Sequence, residues 1–138
     1  NVVRRWKIQD SVVFEDWQYD LVSYFKTADI FLNTSLYEGY GMTLIEAGAS
    51  GRPIVTTRVG VGYDLLEDGR NALVCPVGNE DCIYTKLVNL LENPLIRKSL
   101  GTEIQKNILE RAISKDDYLL KLRDLYVVST DKKQSEQK

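Results

Sequence analysis

Two acidic residues and two glycines lie close together in this sequence, at a spacing suited to a phosphorylated ligand. Glu38, Gly39 and Gly41 precede a helical pattern that begins near Met42, and Glu46 lies one turn inside that helix. The first amide groups of a helix have no intrahelical partner, and the helix dipole favours negative charge beside them. Because glycine lets a phosphate approach these amides, the spacing indicates phosphate binding, although a Gly-x-Gly loop also occurs as an ordinary tight turn.

The two carboxylates extend this interpretation to a sugar. Glu46 follows Met42 by four positions and Thr43 by three, so it shares a face with the start of the helix. A carboxylate beside a phosphate would be repelled, whereas one that accepts hydrogen bonds from sugar hydroxyls fits a nucleotide sugar. The diphosphate would then bind the amides of Gly41, Met42 and Thr43, with the ribose at Glu46 and the second sugar at Glu38. The residues alone support equally well a second interpretation, in which Glu38 is an acid favoured by the dipole at the helix N-terminus and Glu46 is an ordinary surface residue of the helix.

Four short apolar runs are predicted to form the β-strands that position these residues. The runs are continuous rather than alternating, which is typical of parallel strands covered on both faces. Each is followed by polar or glycine-rich residues and then by a helical pattern. This order favours an α/β fold, with a Rossmann-like parallel sheet and flanking helices. The predicted strands are residues 11–14, 30–32, 53–57 and 72–75.

Helices are predicted between and after these strands. Gly51 is suited to end the helix near Met42, because glycine is common just beyond a helix C-terminus. Asn93 ends the helix begun near Asp81, since the residue before a proline avoids the α region. Ser114 or Asp116 is expected to cap the last helix. We expect four apolar stripes to face inward: Leu21, Tyr24 and Phe25; Ile83, Leu87, Leu90 and Leu91; Ile96, Leu100, Ile104, Ile108 and Ala112; and Leu119, Leu122, Leu125 and Tyr126.

The composition excludes several kinds of chemistry. The 138 residues include 18 Lys or Arg and 20 Asp or Glu, and a formal net charge of -2 gives no electrostatic reason to expect nucleic-acid binding. The chain has no histidine, which excludes within it a Ser-His-Asp triad and His-ligated zinc. No cluster of metal ligands is evident. No apolar run reaches the roughly 18 residues that cross a bilayer, so no transmembrane segment is expected.

The two cysteines, Cys75 and Cys82, give no sign of a metal site or a disulfide framework. Their spacing fits no zinc motif, and one pair of cysteines is too few for the scaffold of a small secreted domain. We therefore expect both to be ordinary buried or half-buried thiols.

Glu38 and Glu46 form an E-x7-E motif, which is followed in order by the segments PIVTT, LLEDGRNALV and PVGNED. Over residues 12–126 the sequence resembles the C-terminal nucleotide-binding domain of retaining GT-B glycosyltransferases, the glycosyl transferases group 1. The resemblance implies that Glu38 lies near the donor-sugar hydroxyls and acts in catalysis, and that Glu46 binds the ribose. It also implies that the backbone of Gly41, Met42 and Thr43 forms the phosphate-binding turn.

Two aromatic residues have expected roles by the same resemblance. Tyr40 stands where the family more often has Phe, and we expect it to form an aromatic wall of the donor site. Trp17 lies in a loop that often lines the nucleobase pocket in this family, where it could stack on a base, but a half-buried structural role fits it equally well. Arg58 and residues 60–62 follow the next strand and are further candidates for the rim of the pocket.

The resemblance implies a hexosyltransferase that uses a nucleoside diphosphate sugar as donor substrate, retains anomeric configuration and needs no metal or other cofactor. The acceptor stays open among a sugar, a lipid-linked glycan and a small molecule. We expect a cytoplasmic protein, with the inner membrane surface as a further location. Two alternatives remain: a sugar-nucleotide epimerase or phosphorylase on the same fold, and a nucleotide-binding module without catalysis.

The sequence departs from the family at its front. The family has two further β/α units there, with a glycine loop and an Arg/Lys pair that neutralises the diphosphate, and a separate N-terminal domain for the acceptor. Since the chain also begins at Asn1 with Met42 as its single methionine, we expect a segment of a larger enzyme. Residues 1–128 would form a partial nucleotide-sugar-binding domain, and residues 129–138 a disordered polar tail. The strand at 30–32 would then have an unpaired apolar edge.

Overall fold

The computed structural model describes residues 2–135, with side chains through residue 126, and is built around three parallel strands. The strands β1 (Phe31–Asn33), β2 (Ile54–Thr57) and β3 (Leu73–Cys75) lie in the order β1-β2-β3. Leu32 pairs with Val55, and Thr56 pairs with Val74. Three of the four predicted strands, and the α/β class with a parallel sheet, are therefore confirmed.

Seven helices accompany these strands in the described part of the chain. They are α1 (Val2–Arg5), α2 (Leu21–Thr27), α3 (Met42–Ala49), α4 (Gly62–Leu65), α5 (Glu80–Glu92), α6 (Pro94–Arg111) and α7 (Lys115–Ser135). None of the described helices combines the length and the apolar character that crossing a bilayer needs.

The strand predicted at residues 11–14 is absent. A short 3-10 helix at Gln9–Ser11 is followed by a loop without regular structure, and the side chains of Val13 and Phe14 are 79% and 76% exposed. A strand is stable only when its backbone groups pair with a neighbour, and no described strand lies beside this segment to accept it.

The central strand β2 is buried at all four of its positions and separates two apolar clusters. On one face Ile54 packs with Leu44 of α3 and with Ile104 and Ile108 of α6. On the other face Val55 packs with Leu73, and α5 and α6 contribute the last two members of that cluster, which are Leu90 and Leu100. The sheet therefore has helices on both faces, as continuous apolar strands require.

The helical stripes differ in how far they face this core. In α6 Leu100, Ile104 and Ile108 are buried, although Ile96 is 39% exposed. Phe25 is the buried member of its stripe on α2. Leu90 of α5 is buried as well. The other expected core residues are half-buried or exposed, so the prediction is wrong for those that are exposed: Leu21, Tyr24, Leu91, Ile96, Ala112, Leu119, Leu125 and Tyr126.

The start of helix α7 agrees with the predictions, and its end does not. The Ser114 hydroxyl accepts a hydrogen bond from the Asp117 amide at 3.0 Å, so the predicted cap is Ser114. The helix then continues through Ser135, where disorder was expected from residue 129. Residues 136–138 lie outside the described residues.

The two cysteines form a disulfide, which corrects the expectation of free thiols. Cys75 ends β3, and Cys82 lies in the first turn of α5, with 5.9 Å between their Cα atoms. The chain reverses over residues 76–79, so that the beginning of the helix returns to the end of the strand. Proximity of this kind depends on the path of the loop and not on the spacing in the sequence, which is why the pairing was missed.

Asp68 connects the segment before β3 to α5. Its Oδ1 atom accepts hydrogen bonds from the Val74 amide at 2.8 Å and from the Lys86 ammonium. Burial alone would raise the pKa of Asp68, but these two hydrogen bonds and the charges of Lys86 and Arg58 together hold the pKa below its ordinary value of 3.8. A lowered carboxyl pKa stabilises the folded chain above pH 3.8, and this contribution is lost as the pH falls through the folded-state value.

Asp68→Asn should therefore destabilise the chain by roughly 1 kcal/mol near neutral pH, and the difference should shrink as the medium is acidified below the ordinary carboxyl pKa. Urea unfolding at a series of pH values measures both effects. Asp29→Asn is the control, because that exposed carboxylate has no hydrogen bond or ion pair among the described residues. An unfolding free-energy difference that stays constant down to strongly acidic pH would contradict the assignment.

The open edge of β1 gives a second prediction. Leu32 is 44% exposed, and β1 pairs on one side with β2, while its other side meets no described strand. We expect the 138-residue chain on its own to be poorly stable or to associate through this edge. Size-exclusion chromatography and thermal unfolding test this, with Leu32→Lys expected to reduce association and Leu95→Lys, on the exposed side of α6, to leave it unchanged. A monomer that unfolds cooperatively with high stability would disprove it.

Candidate functional site

Two loops meet at the carboxyl edge of the sheet. One leaves β1 and leads to α3, and the other leaves β2 and leads to α4. They are joined where the Val61 amide donates to the Tyr40 carbonyl at 2.6 Å. Gly60 lies against the same carbonyl with φ of +51°, and a Cβ atom added there would overlap the Tyr40 oxygen. Only glycine therefore lets the two loops approach this closely.

The two loops line a cavity of about 410 Å³. Its charged residues are Arg58, which is half-buried, and the acids Glu38 and Asp64. Ligand sites in open parallel sheets occur at this position, outside the carboxyl ends of the strands. The lining consists of Leu36, Tyr37, Glu38, Gly39, Tyr40, Arg58, Val59, Gly60, Val61, Tyr63, Asp64 and Val77.

The Glu38 carboxylate is half-buried in this lining and is held on one side. The Ser35 hydroxyl donates to Glu38 Oε1 at 2.7 Å. No described group donates to Glu38 Oε2, so this oxygen is free to accept a hydrogen bond from a ligand.

The start of α3 adjoins the same loop and lacks a side-chain cap. Gly41 occupies the N-cap position with φ of 86°, where it offers no side-chain acceptor. Of the other long helices, α2, α5 and α7 are capped by Asp20, Asn79 and Ser114, whereas α6 also lacks a side-chain cap. The amides of Gly41, Met42 and Thr43 donate to no acceptor in the described part of the chain. Unpartnered amides at a helix N-terminus are suited to bind an anion.

Not all predicted site residues gather at this cavity. Glu38 and Tyr40 line it, and Tyr40 is 57% exposed, so it can form a wall. Glu46 is half-buried one turn into α3, where its carboxylate forms no hydrogen bond or ion pair with a described residue, but it does not line the cavity. Trp17 is 81% exposed and lines a separate cavity with Glu15 and Asp16.

Sequence reasoning missed three of the residues that shape the site. Tyr63 and Asp64 belong to the short helix α4, which no apolar pattern indicated. Ser35 lies three residues before Glu38, a spacing from which a local hydrogen bond could have been expected. No group of three or more potential metal ligands occurs together among the described residues.

The contact between the loops predicts a strong effect of Gly60→Ala. The new methyl group would push the Tyr40 carbonyl away, so the variant should lose about 1–3 kcal/mol of stability beyond the strain of a positive φ. Gly69→Ala is the matched control, because Gly69 has φ of +77° with nothing near its missing Cβ. Denaturant unfolding measures the free energy of unfolding of both variants. Equal losses would show that the close contact at Gly60 does not add to the destabilisation.

Comparison with known proteins identifies sequences and structures similar to this chain. A family model described as glycosyl transferases group 1 matches residues 1–93. N-acetyl-alpha-D-glucosaminyl L-malate synthase from Bacillus anthracis is 26% identical over 110 residues, which cover 80% of this chain and 29% of that protein. The chain thus spans less than a third of the length of this relative.

Solved structures agree in fold with the chain. Sucrose-phosphate synthase from Thermosynechococcus elongatus matches with a TM-score of 0.81 at 20% identity, over 94% of this chain and 33% of the other. Anabaena HepE in complex with UDP-glucose matches with a TM-score of 0.75 at 21% identity, over 79% of this chain and 30% of the other. These neighbours are GT-B glycosyltransferases, so the sheet and its helices correspond to part of a GT-B fold.

Proposed function

The chain belongs to the glycosyl transferases group 1, and on this basis we propose that it forms the donor-binding part of an enzyme that transfers a sugar from a nucleoside diphosphate sugar to an acceptor hydroxyl. One observation carries the proposal. The unpartnered amides at the start of α3 adjoin the loop that places Glu38 in the cavity at the carboxyl edge of the sheet.

The helix start supplies the site for the diphosphate. The amides of Gly41, Met42 and Thr43 would donate to its oxygens, and the helix dipole adds favourable charge. These donors are fixed before the ligand binds, so they can stabilise negative charge that develops on the leaving group without reorganising.

The carboxylates would act on the two sugars. Glu38 would accept hydrogen bonds from hydroxyls of the transferred sugar through its free Oε2 atom and so orient that sugar for reaction. Glu46 would accept from the ribose hydroxyls, which accounts for a half-buried carboxylate without a described partner. Tyr40 would form a wall of the sugar site, and Trp17 would stack on the base if the ligand extends to that loop.

Transfer would break the bond between the anomeric carbon and the diphosphate oxygen and form a bond from the same carbon to the acceptor oxygen. The acceptor proton would pass to the leaving phosphate on the same face of the sugar, which retains anomeric configuration. The proposal gives no role to a metal, because the amides at the start of α3 and the basic pair expected elsewhere in the enzyme would stabilise the charge on the leaving diphosphate.

The names of similar proteins support a nucleotide sugar as the donor. HepE has been solved with UDP-glucose, and the Bacillus anthracis relative is named N-acetyl-alpha-D-glucosaminyl L-malate synthase. The acceptor site and the basic pair expected for the diphosphate would come from other parts of the enzyme. A cytoplasmic location stays part of the proposal.

Glu46→Ala in the full-length protein should weaken binding of a nucleoside diphosphate by roughly 1–3 kcal/mol, because ribose hydroxyls buried in the site would lose their acceptor. Titration calorimetry with UDP, ADP and GDP measures the effect. Glu92→Ala, an exposed acid at the end of α5, is the control and should change nothing. If Glu46→Ala binds the nucleoside diphosphates with unchanged affinity, the proposal that Glu46 binds the ribose is wrong.

Titration together with product analysis after incubation with nucleotide sugars tests the proposal as a whole. Binding of a nucleoside diphosphate with slow hydrolysis of its sugar derivative supports a transferase, whereas conversion to an epimeric nucleotide sugar would indicate the epimerase alternative. Binding without any turnover would favour a module that lacks catalysis.

A further inference from the structure

The Glu38 carboxylate is connected to two buried strand ends through a single residue, Ser35. Its hydroxyl donates to Glu38 Oε1 at 2.7 Å. Its own backbone is held on both sides, because its amide donates to Asn33 Oδ1 at 2.8 Å and its carbonyl accepts from Thr57 Oγ1 at 2.6 Å.

The groups that hold Ser35 belong to the buried ends of two paired strands. Asn33 is the last residue of β1 and is 8% exposed, and Thr57 is the last residue of β2 and is 3% exposed. The two strands are paired, with Asn33 opposite Thr56. Side chains fixed by packing and by hydrogen bonds lose little further freedom when they hold another group, so the hydroxyl of Ser35 occupies a defined place relative to the sheet.

Glu38 itself has no other restraint of this kind. It lies in a loop, and its side chain has three rotatable bonds, which would let the carboxylate swing through the cavity or into solvent. The hydrogen bond from Ser35 occupies Oε1 and leaves Oε2 without a described partner. The contact therefore selects one orientation and leaves one oxygen for a ligand.

We propose that Ser35 is a positioning residue that sets the orientation of Glu38 toward the transferred sugar, with Asn33 and Thr57 holding Ser35 against the sheet. The inference rests on the proposed function, in which Glu38 contacts the sugar of the donor. In that function the diphosphate would bind at the start of α3, and the Ser35 hydroxyl donates to Glu38 instead of to the diphosphate. Its influence is thus confined to the sugar part of the donor.

The test compares a nucleotide sugar with its diphosphate in the full-length protein. The probes are UDP-glucose, ADP-glucose and GDP-mannose, each beside UDP, ADP or GDP, in titration calorimetry. Ser35→Ala should weaken binding of the nucleotide sugar about tenfold, the equivalent of one hydrogen bond to a charged group, and leave the affinity for the diphosphate unchanged. Ser35→Thr, which keeps the hydroxyl, should restore sugar binding, and Thr34→Ala removes a neighbouring exposed hydroxyl as the control.

A double-mutant cycle separates positioning from a general loss of structure. In the Glu38→Ala background, Ser35→Ala should have no further effect on binding of the nucleotide sugar, because nothing remains to be positioned. An equal loss in both backgrounds, or an equal loss for the diphosphate, would show a merely structural role and overturn the inference. Thermal unfolding of each variant checks that the fold is retained.

The failure of the inference differs from the failure of the proposed function. If Glu38→Ala weakens sugar binding and Ser35→Ala does not, the inference is wrong and the proposed role of Glu38 stands. If Glu38→Ala leaves sugar binding unchanged, or if none of the nucleotide sugars binds, the proposed function fails and the inference fails with it.

Discussion

The site depends on one backbone contact, the hydrogen bond from the Val61 amide to the Tyr40 carbonyl. It ties the loop that follows β1 to the loop that follows β2, and it requires the absence of a side chain at Gly60. Without it, the loop that carries Glu38 would be anchored only at its two ends, near β1 and at the start of α3. The two loops begin at the carboxyl ends of neighbouring parallel strands, and this contact determines how closely they approach each other.

The start of α3 shows how a site can conflict with local stability. Relative to glycine, a side-chain cap stabilises a helix by a few tenths of a kcal/mol, and α2, α5 and α7 each have one. α3 has Gly41 in that position and leaves its first amides without partners. Leu44 of the same helix is buried against the sheet and α6, and Ala47 is buried as well, which offsets this loss.

Much of the fold could be predicted from the sequence because it depends on local patterns. Continuous apolar runs predicted β1, β2 and β3, and Gly51, with φ of +73°, follows α3 at the expected position. The run at residues 11–14 had the same pattern and failed, because a strand needs a partner and none of the described strands lies beside it. The stripe on α7 failed for a related reason, since an apolar face is buried only where another element covers it.

For the site, the sequence by itself determined the types of residue and their order: two acids around a glycine-rich loop before a helix. Only the tertiary structure decided which of them share a cavity. Glu38 and Tyr40 do, while Trp17 lies at another one, and Arg58, Tyr63 and Asp64 join from a different loop and helix. The same holds for the bond between Cys75 and Cys82 and for the link from Thr57 to Ser35. The physical reason is that spacing along a chain fixes neighbours within one element, whereas contacts between loops depend on how the strands that carry them pair.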